Sequence, residues 1–160
     1  MDTTPTANLH IGNEQTTLRF GAAEGATTLT LAVGAQATAR AHFRHSPPNA
    51  LEMENAIAAV EDVVMPALRQ LPAGLVLCTN DAAVQTIARL AGVPDGSRME
   101  LSIEGLEDCF NALAAWVQGR PASQGRLPQD NAFAATLLIL RELMHHLGFT
   151  SIRWVDGATA

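Results

Sequence analysis

Apolar and polar residues alternate along the first part of the chain and then give way to a helical spacing. Residues 8–13 place Leu9 and Ile11 on one side, and 16–20 and 27–33 repeat the alternation, with Gly and polar residues between them. This pattern predicts three short strands in an antiparallel meander. In "SPPNALEMENAIAAVEDVVMPAL" the spacing changes. Pro47 and Pro48 block a helix upstream, Asn49 with Glu52 fits a capping box, and Met53, Ile57, Val60, Val64 and Leu68 form an apolar stripe. Pro66 should end or kink the last turn. The continuous apolar run "GLVLCTND" suits a strand over 75–79 that is covered on both faces. Helix should then follow from Asp81 to a stop at Gly92, with the Asp81 side chain as its cap. A further helix in "MELSIEGLEDCFNALAAWVQG" is capped by Ser102, and its stripe is Leu106, Cys109, Phe110, Leu113, Trp116 and Val117. The polar "GRPASQGRLPQD" links it to "NAFAATLLILRELMHHLG", apolar on nearly every side up to Arg141 and hence the central helix. A last strand lies in "TSIRWVDG". The expected domain covers 8–160 behind a disordered arm over 1–7.

The whole is the size of one domain with a real core. No run is long enough to span a bilayer and no secretory signal opens the chain, so the expectation is a cytoplasmic protein without membrane contact. Ten basic residues, all Arg, face sixteen acidic ones, for a net charge of −6. Along the sequence they form no basic cluster, which argues against nucleic acid and against a polyphosphate track. Cys78 and Cys109 lack metal spacing and read as buried thiols. His145 and His146 are adjacent on a helix, about 100° apart, and cannot share one ion from one face. His42 and His45 lack a third ligand, so no metal site is expected.

The element order, three meander strands followed by helix-connected strands, is that of the ribonuclease-H-like fold shared by actin-like ATPases. On this order, residues 8 to 157 resemble the second lobe of the exopolyphosphatase and guanosine-pentaphosphate phosphatase (Ppx/GppA) family. "LHIGNEQTTLRFG" stands where the family has a strand and turn of the type DIGGGSTELVLG, and "LAVGA" is similar to its LPLGA. "HFRHSPPNALEMENAIAAVEDVV" is similar to its PP-led helix, "LVLCTNDAAVQTIARLAG" to VGTGGTATTLAAL, and "RWVDG" to VSDGG. The resemblance implies an α/β, actin-like single lobe: a mixed sheet in which the meander is joined by helix-connected parallel strands, with 75–79 beside the first. It also implies phosphoanhydride hydrolysis in a cleft whose acid or base comes from a first lobe. The chain begins where the second lobe begins and stops about where that lobe's next helix would start.

At the positions that matter for chemistry the residues differ. The family's first-strand Asp falls on His10. Its Gly-Gly-Ser turn falls on Asn13, Glu14 and Gln15, with Gly12 and Thr16 kept, and its second Gly-rich turn falls on Cys78, Thr79, Asn80 and Asp81. Bare backbone amides must approach a phosphate closely, which is why glycine serves there. A Glu14 carboxylate about 4 Å from a phosphate in a partly shielded cleft would repel it by several kcal/mol. Asn, Asp and Gln are also ordinary turn and helix-start residues, and on either reading the cradle is lost.

Three functions follow. The first is a non-catalytic domain, with no catalytic residues and no cofactor, that acts through a protein partner or a second copy of itself. The second is a hydrolase completed by another chain, with Mg held by Glu14, Asp81 or Asp156. The third is a small-molecule sensor at the strand tips. The candidate cleft residues are Gly12, Asn13, Glu14, Thr16, Thr79, Asn80, Asp81 and Asp156. A homodimer is expected through the helical layer that contains Trp116 and Met144, because a lone lobe should leave an apolar surface uncovered.

Overall fold

A computed structural model describes residues 4–119 and 127–157. Six strands form one mixed sheet in the order β3-β2-β1-β4-β6-β5. The meander consists of β1 (Thr6–Ile11), β2 (Thr16–Phe20) and β3 (Thr27–Leu31). β4 (Val76–Thr79) lies parallel to β1, as expected, and β6 (Ser151–Val155) lies parallel to β4. β1 begins two residues before the expected 8–13, so Thr6 and Ala7 belong to the sheet. Of the expected arm, residues 1–3 lie outside the described residues, as do 120–126 of the polar linker.

The helices are α1 (Ala35–His42), α2 (Ala50–Val64), α3 (Ala82–Leu90), α4 (Ile103–Val117) and α5 (Asn131–Leu147). A short 3-10 helix, η1 (Met65–Gln70), continues α2 from the place where Pro66 breaks it. The capping box of α2 is complete: Glu52 N–H donates to Asn49 Oδ1 at 2.8 Å, and Asn49 N–H donates back to Glu52 Oε1 at 3.0 Å. That amide, with the Arg44 N–H and His45, holds the Glu52 carboxyl down to a pKa of about 2. Ser102 caps α4 through the Gly105 N–H at 3.1 Å, and Gly148 closes α5 in the left-handed conformation at φ 77°.

Two elements depart from the sequence expectation. α1 was not expected, because it buries only Ala35, Thr38 and Ala39 and has no stripe of large residues. Those small side chains let its backbone lie close to α5. The segment "RMELS", for which no strand was expected ahead of the helix capped by Ser102, is β5 (Arg98–Ser102). Met99 and Leu101 are buried there between exposed Arg98, Glu100 and Ser102, an alternation that only a strand satisfies. β5 adds an antiparallel edge to β6.

All the helices pack on one face of this sheet, with α5 at the centre against α1, α2, α3 and α4. The strands accordingly alternate. Ala7, Leu9 and Ile11 of β1 are buried, while Thr6, Asn8 and His10 are exposed on the opposite face. Among the described residues no helix is long and apolar enough to cross a membrane. Leu68, expected in the buried stripe of α2, is 51% exposed in η1, because the break at Pro66 turns it outward.

Ile139 and Leu140 are fully buried at the middle of α5. Ile139→Asp should therefore abolish folding, since an unpaired carboxylate would enter the core. Circular dichroism should show loss of the cooperative thermal transition.

Candidate functional site

The carboxyl ends of β1 and β4 lie side by side, and the turns that follow them meet. After β1 the chain reverses at Gly12, whose N–H donates to the Gln15 carbonyl at 2.9 Å. A Cβ at Gly12 would approach that carbonyl oxygen to 2.7 Å, so a side chain does not fit. The start of α1 holds the turn from its other side. Ala35 N–H donates to the Gly12 carbonyl and Ala37 N–H to the Asn13 carbonyl, both at 2.9 Å. Gly34 makes this approach possible, because a Cβ there would overlap the backbone of Asn13 and Glu14. Two amides that a helix start could offer to an anion are thus occupied by the turn itself.

Asp81 occupies the N-cap position of α3, but its carboxylate does not cap that helix. It reaches across to β1. Oδ2 accepts the Ile11 N–H at 2.7 Å, and Oδ1 lies 2.7 Å from His10 Nδ1. The expected cap is corrected here: the α3 amides of Val84 and Gln85 donate to the Asp81 main-chain carbonyl, which frees the side chain to bridge the strands. Asp81 N–H in turn donates to Thr79 Oγ1 at 3.0 Å. Glu14 faces solvent and pairs with Arg40, whose Nη2 donates to Oε2 at 2.9 Å. Both side chains are exposed, so this pair contributes little to stability.

The fold has clear counterparts among solved structures. The Aquifex aeolicus Ppx/GppA phosphatase superposes with a TM-score of 0.74 at 13% identity, covering 96% of this chain and 53% of that one. An exopolyphosphatase from Cytophaga hutchinsonii gives 0.71 at 12% identity, covering 98% and 54%. An exopolyphosphatase-like protein gives 0.64 at 17% identity, covering 95% and 54%. The chain has the fold of one Ppx/GppA lobe. At such identities the likeness is one of fold, and the chain spans about half the length of these structures. No protein-family model and no curated protein matches it.

Within this Ppx/GppA-like fold the eight candidate residues divide into three groups. Gly12, Asn13 and Glu14 form the first turn, with Asp81 beside it. Asn80 and Asp156 lie at the ends of β4 and β6, where a Cβ on Gly157 would sit 3.4 Å from Asn80 Nδ2. Thr16 and Thr79 point into the protein. Thr16 is fully buried and donates to the Val33 carbonyl at 2.8 Å, so it serves the strands rather than a ligand. His10, where the family has its Asp, is the residue that completes the Asp81 bridge.

A second polar cluster went unread in the sequence because it lies in the most apolar helix. Glu142 is 1% exposed. Burial pushes its carboxyl pKa up, while Arg141 opposes that rise. Arg141 Nη1 donates to Glu142 Oε1 at 2.6 Å, and its Nε pairs with Glu107. His146 Nε2 lies 3.0 Å from Glu142 Oε2 and 3.3 Å from Glu61 Oε1. Glu61, Glu142 and His146 are the one trio of metal-ligating side chains that converges among the described residues. The Arg141 cation already holds the buried carboxylate, and the cluster joins α2 to α5 as an ion network. The i,i+4 spacing of Glu142 and His146 was its only trace in the sequence. Met144, expected at a dimer face, is fully buried, and Trp116 is half-buried.

Asp81→Ala removes the acceptor of the Ile11 N–H and of His10. It should cost about 1–3 kcal/mol in urea unfolding, and Asp81→Asn should cost less because its amide oxygen can still accept one bond.

Proposed function

We propose that this chain is a non-catalytic, exopolyphosphatase-related domain that acts by binding rather than by hydrolysis. One observation carries the reading: the Asp81 carboxylate sits between the Ile11 N–H and His10, where a phosphate-binding turn would need open amides and no fixed negative charge. The occupied amides of Ala35 and Ala37 support it. Those groups are spent on closing the strand tips. A hydrolase would have to break these bonds and recruit an acid or base together with Mg²⁺, held by Glu14, Asp81 or Asp156.

Self-association belongs to the same proposal. The exposed large apolar side chains among the described residues are Leu51, Met65 and Leu68. Met65 and Leu68 stand together on η1, which makes η1 the contact in place of the Trp116–Met144 layer.

Purified protein should release no phosphate above background from polyphosphate, guanosine pentaphosphate or ATP with Mg²⁺ or Mn²⁺. Metal-dependent release that disappears in Glu14→Gln would establish the hydrolase instead. Light scattering at micromolar concentration should give twice the chain mass of 16.9 kDa, and Leu68→Glu should return it to the single-chain value.

A further inference from the structure

The sheet face away from the helices carries one register line through all six strands. Thr28 pairs with Arg19, Arg19 with Asn8, Asn8 with Cys78, Cys78 with Arg153, and Arg153 with Glu100. Residues paired in register share a face, so Arg19 and Arg153 rise on either side of two shorter residues. Three strand spacings separate their Cα atoms, about 14 Å. Arg98 pairs with Val155, two positions along β6 from Arg153, and adds a third guanidinium on the same face.

Arg19, Asn8, Cys78, Arg153 and Arg98 line a cavity of about 480 Å³, a volume typical of small-molecule sites. Asn8 and Asn80 add to its wall, and no Asp or Glu of the described residues lines it. Glu100, at the end of the line, accepts a hydrogen bond from Ser151 Oγ at 2.9 Å. None of the three arginines makes an ion pair among the described residues, whereas Arg40, Arg89 and Arg141 all do. Arg153 Nε is shut off from solvent with no acceptor. Burial pushes the Cys78 thiol pKa up, and the charges of Arg153 and Arg98 pull against that rise. Such a concentration of unpaired positive charge, in a chain of net charge −6, matches an anionic occupant.

We propose that this face binds a compact polyanion, a small molecule with two or more phosphate or carboxylate groups bridged between Arg19 and the Arg98–Arg153 pair. Arginine suits both chemistries because its planar fork accepts either oxyanion in bidentate fashion. A single-charged anion would engage one wall only. The three arginines stand on the sheet face away from the helices; the cavity shares Thr79 and Asn80 with the strand tips but not Gly12, Glu14 or Asp81, so the proposal stands whether or not those tips prove catalytic.

Calorimetric titration of the full chain at low salt, with inorganic pyrophosphate in one arm and citrate in the other, tests this. At least one probe should bind with one site per chain, the tighter arm identifying the chemistry, and affinity should fall as salt is raised. Arg19→Gln and Arg98→Gln, both at exposed positions, should melt like the parent and weaken binding at least fivefold each. Arg153→Gln should weaken it tenfold or more, and Glu14→Gln at the strand tip should leave it unchanged. The proposal is overturned if neither probe saturates at millimolar concentration or if binding survives Arg19→Gln combined with Arg98→Gln. A response to Glu14→Gln alone, or binding of a poly-glutamate peptide but of neither small probe, would overturn it equally.

Discussion

Helix α5 buries eleven of its seventeen residues, and it does so between the sheet and the helices α1, α2, α3 and α4. Each fully buried Leu or Ile contributes about 1.5–3 kcal/mol relative to exposure, so this helix is a major share of what folds the chain. It draws α1, α2, α3 and α4 to the same side of the sheet. No helix of the described residues covers the opposite side, and the strands carry Thr, Asn and Arg at their outward positions there. That face is therefore polar among the described residues. The arrangement of layers thus decides which surfaces of the sheet stay open among the described residues: the strand tips, and the face away from the helices.

At the tips, closure is achieved with the protein's own groups. The reversal after β1 fits only because Gly12 and Gly34 lack side chains, yet the close approach they permit serves main-chain bonds between the turn and α1. Glycine remains where backbone meets backbone. Beside these glycines Glu14 pairs with Arg40, and Asp81 satisfies an amide of the neighbouring strand. In this fold the donors of the turn and of α1 are directed inward, to main-chain partners.

The meander, the parallel pairing of β4 with β1, and the helices α2 and α5 were legible from alternation, a capping box and apolar periodicity. α1 was not, since Ala and Thr carry its contacts and such residues leave no amphipathic signature. β5 was hidden because Met99 and Leu101 directly precede the true cap at Ser102, so the strand reads as a run-in to the helix. Asp81 was legible at the start of α3, but not as a bridge to β1, because the bond joins positions seventy residues apart. The arginine cluster shows the same limit more sharply. Arg19, Arg98 and Arg153 are remote in the chain, and the expectation that basic residues do not cluster holds for the sequence and fails for the sheet. Only strand register brings them together.

The alternation along the strands also guards against mispairing. A slip of β2 by one residue against its neighbours would turn Arg19 to the helix-covered face and send Leu18 into water, exchanging a solvated guanidinium for a fully buried leucine. β6 is bound by the same penalty through Arg153 and Trp154, and β5 through Arg98 and Met99. The same cations that line the bare face thus act as proofreading marks during assembly, each one forbidding the neighbouring register of its own strand.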